Sequence, residues 1–348
     1  EENMKIVRDW LFKILLLSSI PALASSSAAL FGGFESKPEK GQISFSNPGY
    51  EISHILKDGA PFIKPEMEGA GSKSEPGQPD LPTMSTYYAV EPGKIFTINA
   101  SIKESEVIEN VEVVPFETWN SQPTGVIEKG VTYQQSSSFP ANIATVSDPM
   151  VFRDIVMVQV SVTPFQYNPV SKTLTVIQEI DLELVESGAT EVPYIPQQKS
   201  REFEILYESL VVNYPSTIRE GEEVYQRPSI LYVLPNNIGN LLGTVEELMN
   251  WKKRVGFDVQ YVSTSSIVNN RNNLKNYIED AYETWENPPV HVTIVGDVDG
   301  SYDIPTWNES YSGYSGEGDM PYTTLEGNDV YPEVFIGRMS FSTSSHLN

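Results

Sequence analysis

The sequence contains no cysteine and only three histidines among its 348 residues. The absence of cysteine excludes disulfide bonds, thiolate zinc sites and a cysteine nucleophile within these residues. The HExxH, Walker and dinucleotide-binding motifs are also absent. The segment "GYSGEG" departs from a serine nucleophile elbow, because Glu317 stands where the second glycine belongs. His291 lies in an apolar run, which predicts packing in the core. The side chains alone therefore show no complete active site.

Basic residues are scarce: 23 Lys and Arg stand against 47 Asp and Glu, for a formal charge of -24. Such a surface repels phosphate backbones, so nucleic-acid binding is not expected. It suits a secreted protein, a protein that binds divalent cations, or one kept soluble by its charge. The hydrophobic content of 39% is enough for packed cores, and the length predicts two or three domains.

Long apolar runs are confined to the N-terminal region. Basic residues follow Met4, a short apolar stretch runs from Ile14 to Leu23, and Ala22-Leu23-Ala24 is a small-x-small cleavage site. This order of features is typical of a secretory signal peptide. We therefore predict a signal peptide over residues 4–24, a secreted or cell-surface protein, and no membrane span once the signal is removed.

Residues 35–212 alternate short β-type runs with turn residues. Asn168-Pro169 joins two apolar runs at hairpin spacing. The pattern predicts an all-β, sandwich-like domain of antiparallel strands. Close to its end, a short helix is predicted with one apolar face, formed by Phe203, Leu206, Leu210 and Val211. Residues 213–228 are polar and read as an exposed linker where processing could occur.

From Ser229 onward the pattern changes to strand, helix, strand, helix, strand. This order predicts an α/β subdomain over residues 229–348 with a mainly parallel sheet and right-handed crossovers. Thr244 and Glu247 are spaced for a capping box at the start of the first helix, and Gly256 stands where a helix ends.

Three carboxylates follow the third of these strands: Asp297, Asp299 and Asp303. Ligands gather at the carboxyl ends of strands in parallel sheets, and Ca²⁺ binds several oxygen ligands. The loop is therefore a candidate calcium site. The alternative is that Asp297 accepts hydrogen bonds from backbone amides of the turn while the other two carboxylates face water.

The C-terminal third contains a series of short motifs. They are Val295-Gly296-Asp297, Ile304-Pro305, Asp319, Gly327-Asn328-Asp329 and the run from Glu333 to Arg338. In order and spacing this series resembles the N-terminal subdomain of the gingipain-type cysteine peptidases. Upstream, the segments 77–82, 164–176 and 203–214 resemble the propeptide of that family. The resemblance covers nearly the whole chain after the predicted signal peptide.

This resemblance implies a β-rich prodomain followed by a caspase-like α/β catalytic domain. It implies acyl transfer by a thiolate with a histidine base, protein or peptide substrates, and a propeptide that stays bound to the catalytic domain as an inhibitor until it is cut off. The family's catalytic His and Cys lie on later strands, and no residue here matches either. We therefore assign no catalytic residue and expect a precursor truncated before them, itself inactive. Asp329 and Arg338 are expected to shape the first subdomain, with Arg338 as an ion-pair partner at the end of its strand.

A second hypothesis is a non-enzymatic secreted protein, in which a degenerate peptidase subdomain serves adhesion or inhibition. The genomic sequence beyond the codon for Asn348 distinguishes the two. Continuation into a Gly-His-Gly turn and a later cysteine would support the peptidase precursor, and a stop codon would support the alternative.

Overall fold

A computed structural model describes residues 31–57, 59–117, 128–190, 194–214, 225–267, 269–311, 314–327 and 329–341, together with 343 and 345. The predicted signal peptide lies outside these residues, as does most of the predicted linker, so both stay predictions, together with the predicted domain boundaries. No helix in the described part of the chain is long and apolar enough to cross a membrane.

The first part of the chain, residues 31–214, is called the β block here. Its strands are β1 (Phe34–Ser36), β2 (Gln42–Ser46), β3 (Glu51–Lys57), β4 (Ala60–Glu66), β5 (Gly71–Ser72), β6 (Pro82–Val90), β7 (Lys94–Ile108), β8 (Ala144–Val146), β9 (Met150–Phe152), β10 (Ile155–Val162), β11 (Phe165–Asn168) and β12 (Thr173–Ala189). One sheet has the order β1-β2-β12-β11 with β7 also on β12, a second has the order β5-β6-β10-β8 with β9 on β10, and β3 and β4 form a separate hairpin. The pairings are antiparallel, as predicted.

The two larger sheets share one core, which makes the β block a sandwich. On β12, Ile180 and Leu182 are buried while Glu179 and Glu183 are exposed, because successive side chains of a strand point to opposite faces. The inward side chains pack against Val158 and others on β10. The predicted hairpin between β11 and β12 is confirmed, and the Asn168 side chain accepts hydrogen bonds of 3.1 Å from two backbone amides of its turn.

Helix α1 (Arg201–Leu210) covers the outer face of the second sheet. Its predicted apolar face is partly wrong, because Leu210 is 36% exposed while Tyr207 is fully buried. The reason is a polar contact that hydrophobic spacing does not encode. The Tyr207 hydroxyl donates to Asp154 Oδ1 at 2.6 Å and lies 3.0 Å from the carbonyl oxygen of Phe152, which turns this side of the helix inward.

Residues 225–341 are called the α/β block. Its elements are β13 (Ser229–Leu234), α2 (Leu242–Arg254), β14 (Asp258–Ser263), α3 (Thr264–Ile267), α4 (Arg271–Thr284), β15 (His291–Val295), β16 (Trp307–Tyr311), β17 (Tyr314–Gly318) and β18 (Phe335–Met339). The sheet order is β14-β13-β15-β18 and every pairing is parallel, which confirms the predicted fold. Helices α2 and α4 pack on opposite faces of this sheet, against alternate side chains of β13.

The helix starts differ from the sequence prediction. Helix α2 has no side-chain cap, because a 3-10 turn at Gly239–Leu241 runs directly into it, so the predicted capping box at Thr244 is wrong. Helix α4 does have a cap, which was not predicted: Asn270 Oδ1 accepts from the backbone amide of Asn272 at 2.9 Å. The predicted glycine after α2 is confirmed, since Gly256 has a φ of 109°.

Candidate functional site

Arg338 holds the carboxyl edge of the parallel sheet together. Its guanidinium contacts Asp319 through two bonds, Nε to Oδ2 at 2.8 Å and Nη2 to Oδ1 at 2.7 Å. Its Nη1 donates to the carbonyl oxygens of Asp297 at 3.2 Å and Ile304 at 2.9 Å. A planar guanidinium can make all these bonds at once, so Arg338 fixes strand β18, the loop after β15 and the end of β17 in one arrangement. This confirms the ion pair expected for Arg338.

The charge of Asp319 is maintained by its partners. Burial alone would raise the pKa of this carboxyl, but the hydrogen bonds from Arg338 and Thr306 outweigh it, so the pKa lies below its usual value. Both side chains of the ion pair are largely buried, at 10% and 18% exposure. The pair is therefore screened little by solvent and contributes to the rigidity of this edge.

Gly296 is required where β15 ends. Its φ is 151°, and a Cβ atom at this position would lie 2.3 Å from the carbonyl oxygen of Tyr302. Only glycine tolerates both the conformation and the close approach. The Val-Gly-Asp motif therefore has a structural reason at this edge of the sheet.

The three carboxylates of the predicted calcium loop do not converge. Asp297 Oδ1 accepts from the backbone amide of Val298 at 2.9 Å, and Asp303 Oδ2 accepts from Asn269 Nδ2 at 2.7 Å. Asp299 precedes a 3-10 turn without capping it. Within the described ranges, no group of three or more His, Cys, Asp or Glu side chains is arranged to hold a metal ion. The calcium site stays a prediction.

The predicted core packing of His291 is only partly confirmed, because its side chain is half-buried. Its ring stacks on Phe335 with centroids 5.4 Å apart and an interplanar angle of 26°. Burial lowers the pKa of this imidazole, so the ring is neutral near pH 7. It contributes to the packing of the sheet face.

A second polar site lies at the opposite, amino edge of the sheet, where the β block contacts the α/β block. Arg153, in the turn between β9 and β10, is fully buried there. Its guanidinium donates to the carbonyl oxygen of Pro289 at 3.2 Å, to the carbonyl oxygen of Glu333, and to Gln226 Oε1 at 2.6 Å. These acceptors precede β15, β18 and β13, so one side chain of the β block joins the starts of three parallel strands.

The residues before β18 carry three acids that face this contact, called the acid cluster: Glu326, Asp329 and Glu333. Asp329 Oδ2 accepts from the backbone amide of Val151 at 2.8 Å, and Glu326 Oε1 accepts from the backbone amide of Ile195. Both donors belong to the β block. Glu333 Oε2 accepts from the amide of Leu325 at 2.6 Å, within the α/β block.

Burial dominates the electrostatics of the acid cluster. It raises the pKa of Glu326 and of Asp329, and it raises the pKa of Glu333 to about 8. Glu333 is fully buried, and its Oε1 has no hydrogen-bond partner among the described residues. Burial therefore favours the protonated form of Glu333 near neutral pH.

An aromatic layer surrounds the polar site. The hydroxyl oxygens of Tyr87 and Tyr331 lie 2.5 Å apart, and their rings meet edge to face. Phe203 on α1 packs against Phe335 with centroids 4.5 Å apart. Each pair joins the β block to the α/β block, so the contact has the apolar surround that excludes water from buried polar groups.

Sequence reasoning missed Arg153. A charged residue in a turn between two apolar runs is typical of an exposed hairpin, and nothing in the pattern indicates burial. The unusual character of Arg153 is visible only in the structure, where its φ of 55° is uncommon for a residue other than glycine.

The comparisons agree with this two-part architecture. Residues 36–227 match the family described as Propeptide_C25, and residues 224–348 match Peptidase family C25. Gingipain R2 of Porphyromonas gingivalis is 29% identical over 290 residues, which cover 79% of this chain and 37% of that protein. Lys-gingipain of the same organism is 23% identical over 332 residues, which cover 87% of this chain and 18% of that protein.

The chain thus spans well under half the length of these curated relatives. Among solved structures, the "Complex of Porphyromonas gingivalis RgpB pro- and mature domains" aligns with a TM-score of 0.45 and 25% identity. The alignment covers 53% of this chain and 97% of that chain.

Proposed function

The chain belongs to peptidase family C25, with its propeptide, and from that premise we propose that it is part of the latent precursor of a secreted cysteine endopeptidase. The β block is the propeptide that holds the enzyme inactive, and the α/β block is the first part of the catalytic domain. The reaction is peptide hydrolysis through a thiolate nucleophile and a histidine base, with protein or peptide substrates. Since these residues contain no cysteine, the nucleophile comes from sequence outside them.

The observation that supports this role best is the insertion of Arg153. A fully buried guanidinium that crosses between two blocks requires the blocks to fold against each other, because leaving it unpaired is costly. This is the arrangement that a propeptide bound to its own catalytic domain needs. Among the described residues, these acceptors lie at the starts of the strands, away from the carboxyl edge of the sheet.

The test compares the peptidase activity of two proteins: the 348-residue chain, and the product of the complete reading frame that encodes it. The chain alone should not hydrolyse a broad set of fluorogenic peptides. The complete product should be latent until it is cut within residues 213–228, and iodoacetamide should abolish its activity afterwards. Turnover by the 348 residues that resists thiol alkylation and repeated purification would contradict the proposal.

Secretion is part of the same proposal. What supports it is the basic start, apolar stretch and Ala22-Leu23-Ala24 site of the sequence. Expressed from Met4 in a bacterium, the exported chain should begin at Ser25 or, after the second small-x-small site Ser26-Ser27-Ala28, at Ala29. An exported chain that retains Met4 would contradict it.

A calcium ion at Asp297, Asp299 and Asp303 is a separate proposal, supported by the three carboxylates in one loop. Asp297 Oδ1 and Asp303 Oδ2 already accept hydrogen bonds, so the second oxygen of each carboxylate would bind the ion. Added Ca²⁺ should then raise the melting temperature of the wild-type chain, and Asp297→Ala should remove the gain. An equal gain in both would indicate general screening of the acidic surface.

A further inference from the structure

The outer face of the second β-block sheet has an apolar half and a polar half. On β6, Met84 and Tyr88 point into the sandwich core, so the side chains between them point outward. Around Tyr87 the outer face is apolar, and helix α1 and the α/β block pack against it. Toward the start of β6 the outer face is polar, and Ser85 is exposed there.

Paired hydroxyls join β6 to β10 along the polar half, and we call these four residues the hydroxyl ladder. Thr83 Oγ1 lies 2.7 Å from Thr163 Oγ1, and Ser85 Oγ lies 2.9 Å from Ser161 Oγ. Thr83 and Ser161 are buried, whereas Ser85 is open to a partner. The ladder is therefore an ordered polar surface, since each hydroxyl is held by the one on the neighbouring strand.

The hydroxyl ladder is continuous with the contact between the two blocks. Gln159, the next outward residue of β10, donates through Nε2 to the Tyr87 hydroxyl at 3.4 Å, and Tyr87 contacts Tyr331 of the α/β block. Phe335 belongs to the same contact and begins β18, which is the edge strand of the parallel sheet among the described residues. Polypeptide that pairs with this edge of β18 would therefore adjoin the contact.

Lys73 reaches the hydroxyl ladder and has no carboxylate partner in the described part of the chain. Its ammonium donates to Ser161 Oγ at 2.9 Å and to Thr145 Oγ1 at 3.4 Å. Other lysines of the β block pair with carboxylates, as Lys172 does with Glu112 at 3.2 Å. An ammonium has three donors, so one donor of Lys73 remains for a further acceptor. A carboxylate is the acceptor that an ammonium binds most strongly.

We propose that Lys73 and the hydroxyl ladder form a docking surface for the part of the catalytic domain that lies outside these 348 residues, and that Lys73 pairs there with a carboxylate of that part. The inference rests on the precursor role proposed above, which supplies the occupant. The Thr145 and Ser85 hydroxyls can donate to the second oxygen of the same carboxylate. A polar surface also suits a propeptide that later leaves, because an apolar surface of the same area would promote aggregation once exposed.

Zero-length crosslinking tests the pairing in the intact precursor. A water-soluble carbodiimide joins a carboxylate to a lysine amine in direct contact; an amide bond forms, and the carbodiimide takes up the water as its urea. In the product of the complete reading frame, mass spectrometry should find Lys73 joined to an Asp or Glu that follows residue 348. The ion pair of Lys172 and Glu112 is the positive control, and it should be joined both in this product and in the 348-residue chain.

Lys73→Met tests the contribution of the pair to docking. After the linker of the complete precursor is cut, the β block should dissociate at least about tenfold faster from the variant than from the wild type, because the partner carboxylate loses its cation. Size-exclusion chromatography at intervals after dilution measures this rate. Lys103→Met removes the same charge from the exposed strand β7, where Lys103 pairs with Asp181, and should leave the rate unchanged.

Three results would overturn the proposal. The first is a precursor in which Lys172 is joined to Glu112 while Lys73 is joined to no carboxylate, which decides the matter even if the variant fails to fold. The second is a Lys73 crosslink to an acid within the 348 residues, which would indicate an internal pair or a second copy of the chain. The third is a folded Lys73→Met precursor with the wild-type dissociation rate.

The proposed function is tested separately by the peptidase assay of the same preparation. A precursor that shows the Lys73 crosslink but never gains peptidase activity would contradict the proposed function alone. An active enzyme without the crosslink would contradict the docking surface alone.

Discussion

The carboxylate of Asp329 accepts a hydrogen bond of 2.8 Å from the backbone amide of Val151, although the two residues are 178 positions apart. Asp329 ends the Gly-Asn-Asp motif, which the sequence relates to the first catalytic subdomain alone. Its other oxygen accepts from the amide of Tyr331 at 2.9 Å. Asp329 therefore stabilises its own loop through Tyr331 and the contact with the β block through Val151.

Replacing Arg153 should destabilise the chain strongly. Arg153→Met leaves the oxygens of Pro289, Glu333 and Gln226 without their donor, and we expect a loss of about 3 kcal/mol in the free energy of unfolding. Urea denaturation at pH 7 measures it.

Lys172→Met is the matched control for Arg153→Met. Lys172 has a φ of 54°, against 55° for Arg153, so both substitutions carry the same backbone cost. Lys172 is exposed and makes an ion pair of 3.2 Å with Glu112, which should be worth about 0.5 kcal/mol. Equal losses in the two variants would show that the buried contacts of Arg153 contribute little.

Removing the charge of Asp319 should weaken the carboxyl edge in a pH-dependent way. The lowered pKa of Asp319 means that its contribution is present above the ordinary carboxyl pKa and is lost as the pH falls through the folded value. Asp319→Asn should therefore cost about 3 kcal/mol at pH 7, and the difference from wild type should shrink below about pH 4. Urea denaturation at pH 7 and below about pH 4 measures the difference in the free energy of unfolding between Asp319→Asn and wild type. A difference that is the same at both pH values would contradict the role of the ion pair.

The Asn213 side chain should be essential for closing the edge of β6. Its Oδ1 accepts from the Ala89 amide at 2.7 Å and its Nδ2 donates to the Ala89 carbonyl at 3.0 Å, as a neighbouring strand would. Asn213→Ala leaves both backbone groups unsatisfied at a site that is 5% exposed, so we expect a loss of about 2 kcal/mol. Asn99→Ala, on the exposed strand β7, should change the urea midpoint little. Similar midpoints for the two variants would argue against the role of Asn213.

Cleavage of the linker should leave the two blocks associated. The sequence places Arg219 in the polar stretch between them. The contacts of Asp329 and Tyr331 lie outside that stretch, and Arg153 contacts only Gln226 in it, on the C-terminal side of Arg219, so a cut after Arg219 leaves all of them intact. After brief trypsin treatment at pH 6, the two fragments should elute together from a sizing column and separate only in denaturant. Trypsin cutting mainly inside residues 90–185 would instead contradict the proposed division into domains.

The sequence predicts the fold class well because its patterns are local. All six residues of β13 are buried, as a continuous apolar run requires of a strand covered on both faces. The alternation on β12 and the Asn168 turn likewise depend on neighbours in the chain.

Features that depend on distant contacts could not be predicted. Asn270 caps its helix, while Thr244 does not, because the preceding backbone decides which residue can reach a free amide. The burial of Arg153 depends on a surface supplied by the other block. For the candidate site, the sequence predicts that Arg338 forms an ion pair, whereas its partner Asp319 and the amino-edge contact follow only from the folded chain.

The β block contacts the amino edge of the sheet, and the hydrogen bonds of Arg338 stabilise the carboxyl edge. This separation has a pharmacological consequence. A small molecule that inserted between Tyr87 and Tyr331 would weaken the contact between the two blocks without approaching the carboxyl edge. If the β block is the inhibitor proposed above, such a compound would activate the enzyme prematurely, and it would leave the carboxyl edge unoccupied.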